Sequence, residues 1–331
     1  MTTGRKVVFV LGAGASLGAG ATASVQHGGS VDIPTQASFW RIFLKFAKSE
    51  ENRKTIEIFL FRYFTDYKRV PAKLKATERG NLLSRIDVEE VFTFLSERSQ
   101  SPSTPSHIKT HIDKVWVAMI SEIGSVFRRF PANGKTRSIY RSLVNNQLGK
   151  RDAVVSFNYD TVFEDSLPNN RKWGYHCVEN TTSSLSVYKP HGSVNWFLKE
   201  KKIVRGNEPE DQPVVVAPSH LKFSLNNNKT KQAGYLDAAP TLFEIWGELE
   251  KELKMAKAIV FIGYSFPPAD LYFTSLLRTV LSQRSAKPKF ILVNPDSVAI
   301  SVRVFQKFQI KTKNYFDLGQ FSKITRKEVL A

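Results

Sequence analysis

Cysteine is nearly absent from this sequence, which contains one, Cys177, among 331 residues. A single thiol cannot close an intrachain disulfide, and it cannot supply the paired cysteines of a structural zinc site. This cysteine usage is typical of a reducing compartment. We therefore expect a cytoplasmic protein that holds no zinc.

Long hydrophobic runs are also scarce. The stretch 7–25 follows Arg5 and Lys6 and imitates a secretory signal, but its glycines make a poor membrane-inserting helix. No other run approaches the roughly 20 apolar residues of a membrane span. We therefore expect neither a leader nor a membrane anchor.

Acidic residues are outnumbered, because 48 Lys and Arg stand against 30 Asp and Glu, a formal net charge of +18. Such a surplus favours polyanionic partners, which include nucleotides, nucleic acid and acidic proteins. No nucleic-acid-binding motif accompanies the surplus, so a solvated basic face is the simpler interpretation and direct nucleic-acid contact stays open.

The apolar pattern alternates between short buried strands and helices. This alternation predicts an α/β fold, with a Rossmann-like parallel sheet and helices on both of its faces. The predicted strands are Lys6–Leu11, Ala153–Phe157, Ser186–Tyr188, Val214–Ala217, Ala258–Gly263 and Phe290–Val293, with a weak one near Ile310.

Residues 39–148 interrupt that alternation, because their hydrophobic side chains recur at helical spacing without a strong strand signal. At about 150 residues per domain, the length allows two domains or one domain with an insertion. We therefore predict an α/β domain formed by residues 1–38 and 149–331, with a helical insertion at 39–148.

Polar or glycine-rich clusters follow most of the predicted strands. Ligands of open parallel sheets bind outside the carboxyl ends of the strands, so these clusters predict one nucleotide crevice. The clusters are Gly12–Ser16, Asn158–Asp160, His191–Ser193, Gly263–Ser265 and Asn294–Asp296.

The first cluster suits a diphosphate. Gly12 and Gly14 permit a tight turn whose amide groups approach the ligand closely, and Ser16 adds a hydroxyl donor. The third glycine of the dinucleotide fingerprint would fall at Leu17, so hydride-transfer chemistry is disfavoured.

The clusters also occur in a recognisable order. They are Gly12-Ala13-Gly14-Ala15-Ser16, Ile33-Pro34-Thr35, Phe157-Asn158-Tyr159-Asp160, Lys189-Pro190-His191-Gly192-Ser193, Gly263-Tyr264-Ser265-Phe266-Pro267 and Asn294-Pro295-Asp296. Over about residues 7–300, this order resembles the sirtuins, and in particular the bacterial sirtuin-like proteins. Many of those proteins act as NAD+ hydrolases in anti-phage defence.

The resemblance implies a role for each motif. Asn158, Asp160 and His191 would be catalytic, with His191 as the catalytic histidine and the other two residues facing the nicotinamide and its ribose. The positions implied to bind NAD+ are Gly12, Ala13, Gly14, Ser16, Pro34, Thr35, Gly263, Ser265 and Asn294.

Each of these residues also has a structural interpretation. His191 is also compatible with a loop histidine in a structural hydrogen bond. Asn158 and Asp160 are residue types that cap the start of a helix. Ser265 and Asn294 stand in sequences typical of turns.

The reaction implied is hydrolysis of NAD+. Protein-deacylating sirtuins carry a four-cysteine zinc module, which a chain with Cys177 alone cannot form. The nicotinamide of NAD+ is already cationic, so its departure needs no general acid of the kind that ordinary glycosidases use. A neutral amide can orient water and a histidine can accept its proton. We therefore expect a metal-independent NAD+ glycohydrolase with no cofactor beyond NAD+ as substrate.

The resemblance implies a toxic effector that awaits a partner. The partners that it suggests are a HerA-type ATPase or a short Argonaute encoded beside it, and the insertion helices favour homo-oligomers. A non-catalytic subunit that binds NAD+ or ADP-ribose is the alternative, and a protein deacylase is the least favoured.

Overall fold

The computed structural model describes residues 6–25, 28–65, 71–180, 185–206, 212–216, 233–268 and 270–331. The chain divides into two compact units. The first unit consists of Met1–Asp32, Phe130–Ser193 and Ala239–Ala331, and the second of Ile33–Arg129 and Val194–Ala238.

The first unit contains a seven-stranded parallel sheet in the order β11-β10-β9-β1-β4-β6-β5. A hairpin of β2 and β3 also belongs to this unit, and β7 pairs with β8 in the second. The strands are β1 (Val7–Leu11), β2 (Thr22–Ser24), β3 (Ser30–Asp32), β4 (Ala153–Ser156), β5 (Trp173–Tyr175), β6 (Leu185–Tyr188), β7 (Trp196–Lys199), β8 (Lys202–Arg205), β9 (Ala258–Ile262), β10 (Lys289–Val293) and β11 (Thr312–Tyr315).

The central strands are buried along their whole length, which explains their unbroken apolar sequences. Strands covered on both faces belong to parallel sheets flanked by helices, and the predicted α/β fold is confirmed. The helices are α1 (Ala13–Gly18), α2 (Phe39–Phe46), α3 (Glu50–Phe64), α4 (Ala76–Leu83), α5 (Val88–Gln100), α6 (Ser106–Phe127), α7 (Gly134–Gln147), α8 (Ala233–Met255), α9 (Leu271–Ser282), α10 (Ser297–Ile300), α11 (Leu318–Phe321) and α12 (Arg326–Leu330).

One predicted strand is absent from the sheet. Within Val214–Ala217, Val215 forms an isolated bridge, and Ala217 lies outside the described residues. The segment belongs to the second unit, where the amide of Val214 donates to the carbonyl of Trp196 in β7 at 2.8 Å. Its apolar sequence therefore pairs beside the small hairpin.

Helices dominate the second unit. Helix α6 packs against α2, α3 and α5. Aromatic side chains fill the space between these helices, with Phe39 stacked on Phe43 at 5.3 Å and Phe92 edge-on to Trp116 at 5.8 Å. The helical periodicity of this segment therefore reflects a hydrophobic core.

The division into compact units differs from the predicted boundaries at 38 and 148. Helix α7 belongs to the first unit, where Gln147 donates to the carbonyl of Phe321 at 2.5 Å and Tyr140 packs edge-on against Phe163. The second unit also gains residues 194–238. A helical pattern alone does not say which core a helix joins.

Among the described helices, none has both the length and the apolar character that crossing a membrane requires.

Candidate functional site

The sheet of the first unit reverses its strand order at β1, which lies between β4 and β9. Open parallel sheets bind ligands at such a point, outside the carboxyl ends of the strands. These three strands end at Leu11, Ser156 and Ile262. The predicted clusters that begin at Gly12, Asn158 and Gly263 therefore lie at one edge of the sheet.

Close backbone packing explains the glycines of this edge. The amide of Gly14 donates to the carbonyl of Gly263 at 3.0 Å. A Cβ on Gly12 would lie 2.7 Å from that same oxygen, and one on Gly263 would lie 2.0 Å from the amide nitrogen of Ala15. Gly263 also has φ +58°. The turn after β1 therefore fits against the segment after β9 only when both contain glycine.

A buried hydrogen-bonded cluster joins the turn after β1 to the segment after β4. The hydroxyl of Ser16 donates to Asp160 at 3.0 Å, and the side-chain amide of Asn158 donates to Ser16 Oγ at 3.2 Å and to the carbonyl of Gly12 at 3.0 Å. The Gly12 oxygen can only accept, so the amide nitrogen faces it and Asn158 Oδ1 points elsewhere. The predicted hydroxyl donor at Ser16 is thus directed at Asp160.

Charged side chains are buried behind this cluster. Lys189 is fully buried and donates to the backbone carbonyl of Asp160 at 2.6 Å, and its ammonium lies 3.1 Å from Glu164. Burial raises the pKa of Asp160 and of Glu164, an effect that the nearby Lys189 charge only partly offsets. The ammonium therefore serves two buried carboxyl groups.

His191 follows β6 and is 6% exposed. Its Nε2 lies 3.3 Å from Oδ1 of Asp270, and its ring packs edge-on against Phe157 at 4.8 Å. Phe157 stacks on Tyr264 at 5.1 Å, and Tyr264 in turn contacts the position of Gly12. Two aromatic rings therefore connect the histidine to the turn after β1.

Asp270 and Tyr264 are missed by the sequence reasoning as individual functional residues. The hydroxyl of Tyr264 donates to Oδ2 of Asp270 at 2.6 Å, and both residues are buried. Tyr264 stands within one of the recognised motifs. Asp270 precedes a helix, where an aspartate is ordinarily interpreted as a cap, and that interpretation conceals its contact with His191.

The remaining predicted positions are more scattered. Ala13 and Ser265 are exposed, and the Ser265 carbonyl accepts from Arg303. Asn294 follows β10, where its Oδ1 accepts from the amide of Asp296 at 2.9 Å. Pro34 and Thr35 fall in the second unit, where Thr35 forms a capping box with Ser38.

The described part of the chain holds no group of three or more His, Cys, Asp and Glu side chains arranged for a metal ion. Cys177 is half-buried, and burial raises the pKa of its thiol to about 12. The thiolate form that binds zinc is therefore disfavoured at this position.

Comparison with family models matches residues 152–314 to the SIR2-like domain. The chain carries a SIR2-like domain. The matched residues include Asn158, Asp160, His191 and Asp270, whereas the Gly12–Ser16 turn precedes them. The predicted sirtuin resemblance is confirmed, and the SIR2-like domain supports an NAD+-related function.

Solved Sir2 structures are similar to this chain at low identity. A complex of a mutant Sir2 homologue with ADP ribose is 14% identical over 96% of this chain and 89% of its own, with a TM-score of 0.39. A structure described as a basis for the mechanism and regulation of Sir2 enzymes is 12% identical over 99% of this chain and 91% of its own, with a TM-score of 0.37. At such low sequence identities and TM-scores, no residue roles are carried over from these structures to this chain. No curated protein matches this chain in sequence.

Proposed function

We propose that this SIR2-like protein is an NAD+ glycohydrolase, which converts NAD+ and water into nicotinamide and ADP-ribose. The observation that carries the proposal is the cluster at the strand reversal. There Asn158 forms a hydrogen bond with the turn after β1. The His191 ring packs against Phe157, and Phe157 stacks on Tyr264, which lies beside that turn.

The reaction needs no general acid to protonate the leaving group. The bond between the anomeric carbon and the pyridinium nitrogen breaks, and its electron pair neutralises the departing nicotinamide. Water then bonds to the anomeric carbon and releases one proton. The protein has to hold the ribose, orient the water and accept that proton.

Asn158 suits the orienting role. Its two amide hydrogens are directed at Gly12 and Ser16, so the plane of the side chain is held from one side. Its Oδ1 is then the atom that accepts from a ribose hydroxyl or from the attacking water. Because Asn is neutral, it keeps this role across a wide pH range.

His191 suits the role of base. An imidazole takes up a proton near neutral pH without a large change in geometry. Its place after β6, beside the aromatic rings of Phe157 and Trp246, gives the proton acceptor a buried surrounding. Such a surrounding restricts the number of competing water molecules.

Asp160 acts through other residues in this proposal. Its carboxylate accepts from Ser16 and from the amide of Val162 at 3.0 Å, and Ser16 in turn accepts from Asn158. We assign Asp160 the task of holding the side-chain amide of Asn158 in place through Ser16. The nucleotide would extend over Gly12, Ala13, Gly14 and Gly263, with Ser265 and Asn294 at its adenosine half.

Incubating the purified protein with NAD+ and following nicotinamide by chromatography tests the activity. We expect turnover by the wild type and its loss in His191→Ala and in Asn158→Ala. Asn146→Ala, which removes an amide on α7, is the matched control and should stay active. Turnover that survives both site variants would refute the proposed site.

Calorimetry with ADP-ribose separates catalysis from mere binding. Tight binding without turnover, in the chain alone and with its partner, would favour a non-catalytic NAD+-binding subunit. Release of O-acyl-ADP-ribose from an acylated peptide would instead identify a deacylase.

We further propose that the enzyme is a toxic effector of anti-phage defence, acting on the cytoplasmic NAD+ pool as part of an oligomer with a partner encoded beside it. Co-expression with the neighbouring gene during phage infection tests this role. Cellular NAD+ should fall with the wild type and stay constant with His191→Ala. Unchanged NAD+ with both proteins would contradict the effector role.

A further inference from the structure

We infer that Asp270 is a positioning residue for His191, which holds the imidazole in place and stabilises its protonated form, and that Tyr264 orients the Asp270 carboxylate. This inference rests on the proposed hydrolysis of NAD+. It adds a pair of residues from the segment between β9 and α9 to the proposed catalytic side chains, Asn158 and His191, which follow β4 and β6.

The geometry forms a chain of three side chains. Oδ1 of Asp270 lies 3.3 Å from Nε2 of His191, and Oδ2 of Asp270 accepts the Tyr264 hydroxyl at 2.6 Å. Asp270 is 4% exposed, so its carboxylate meets these groups with little water between them. A buried carboxylate that accepts a hydrogen bond on one oxygen and faces an imidazole nitrogen with the other is held in one orientation.

The helix that Asp270 begins makes no use of its side chain. Asp270 is the N-terminal cap of α9, yet its side chain forms no capping hydrogen bond. Two other aspartates at helix starts do cap: Asp87 accepts from Glu89 and Glu90, and Asp317 accepts from Gln320. An aspartate that forgoes a favourable helix cap is directed elsewhere, in this case toward Tyr264 and His191.

The segment after β9 holds Tyr264 between fixed neighbours. Gly263 and Phe266 have φ of +58° and +53°, and Phe266 is nevertheless buried against Tyr264 at 4.9 Å. A residue other than glycine keeps a left-handed backbone conformation only where the packing around it holds it there. The Tyr264 ring also stacks on Phe157, which contacts His191.

The chemistry gives the carboxylate a task. As water bonds to the anomeric carbon, its proton passes to the His191 imidazole, and nicotinamide leaves with the electron pair of the C–N bond. The resulting imidazolium is a buried positive charge, which is unfavourable without a partner. The Asp270 carboxylate supplies that partner, and the proton is released to solvent before the next turnover.

Asp270→Asn is the decisive variant, because it keeps the shape of the side chain and removes its charge. We expect kcat to fall by between about tenfold and about a hundredfold, with KM changed by less than about twofold. Tyr264→Phe should lower kcat less, since the ring and the carboxylate both remain. Asp317→Asn, which changes an aspartate that caps α11, is the matched control and should leave both constants unchanged.

Coupling to His191 distinguishes positioning from an independent effect. In a His191→Ala background, adding Asp270→Asn should produce no further loss of residual turnover, because the group on which Asp270 acts is already absent. A further loss of the same size as in the wild type would overturn the inference. So would an unchanged kcat in Asp270→Asn when the wild type turns over NAD+.

A spectroscopic readout keeps the inference testable without turnover. The ¹⁵N resonances of the His191 imidazole, assigned by their loss in His191→Ala, should move in Asp270→Asn and stay in place in Asp317→Asn. Resonances that stay in place in Asp270→Asn would refute the contact. If they move but the wild type hydrolyses no NAD+, the proposed function fails and the Asp270–His191 contact stands, without its catalytic task.

Discussion

The side-chain amide of Asn158 donates to the backbone carbonyl of Gly12 across 3.0 Å, although the two residues are 146 positions apart in the chain. This bond joins the segment after β4 to the turn after β1 at the edge where the strand order reverses. An amide held by this hydrogen bond cannot rotate freely, and we propose that the same amide serves catalysis. The activity and the stability of this edge should therefore respond together to changes at Asn158.

Replacing Asn158 by aspartate tests that link. In Asn158→Asp a carboxylate oxygen would face the Gly12 carbonyl, and both of the amide donors would be lost. We expect NAD+ turnover to fall by at least about a hundredfold, with a loss of about 1–3 kcal/mol in the free energy of unfolding. Nicotinamide release and urea denaturation measure the two effects. Full activity in this variant would show that the amide is dispensable.

The buried ammonium of Lys189 should contribute strongly to stability. Lys189→Met leaves the buried Glu164 carboxyl without its ion-pair partner 3.1 Å away. We expect the free energy of unfolding to drop by about 3–5 kcal/mol, and Lys189→Met combined with Glu164→Gln to recover part of it. Lys251→Met removes an exposed partner of Glu248 and should leave the urea midpoint unchanged. A similar midpoint for Lys189→Met and the wild type would contradict this expectation.

Burial raises the pKa of Glu164. Over the pH range between the ordinary and the raised value, Glu164 is therefore protonated in the folded protein and ionised in the unfolded chain. Between the ordinary carboxyl pKa, about 4, and the raised value, rising pH therefore lowers the free energy of unfolding. Glu164→Gln removes this contribution, so stability relative to the wild type should increase as pH rises through that window. Urea denaturation at a series of pH values from about 4 to 7 measures the difference. A difference that decreases with pH would mean that the pKa of Glu164 is lowered on folding.

Glycine is required at position 263 for steric reasons. Gly263→Ala would place a Cβ 2.0 Å from the amide nitrogen of Ala15 at a φ of +58°. We expect a loss of at least about 3 kcal/mol in stability, together with loss of turnover. Gly247→Ala, on an exposed part of α8 with open space around it, should instead stabilise by about 0.5–1 kcal/mol. Thermal denaturation distinguishes the two, and equal midpoints would refute the steric argument.

The buried central strands of the sheet, and the clusters that follow them, could be predicted from local sequence patterns. Runs such as Val7–Leu11 and Ala258–Ile262 are apolar without interruption because both faces of the strand are covered, and that signal is local. Polar clusters at strand ends then predict a shared edge. The edge strand Trp173–Tyr175 was missed, because three residues with a central glycine give no periodic signal.

Which side chains face one another depends on tertiary packing. Ser16 was expected to reach a diphosphate, yet its hydroxyl is directed at Asp160, and the contact between Asp270 and His191 joins residues from different strand ends. Helix α7 has the same periodicity as its predecessors but belongs to the first unit. Periodicity specifies that a face is buried, whereas partners are set by packing between residues that are distant in sequence, which no local pattern encodes.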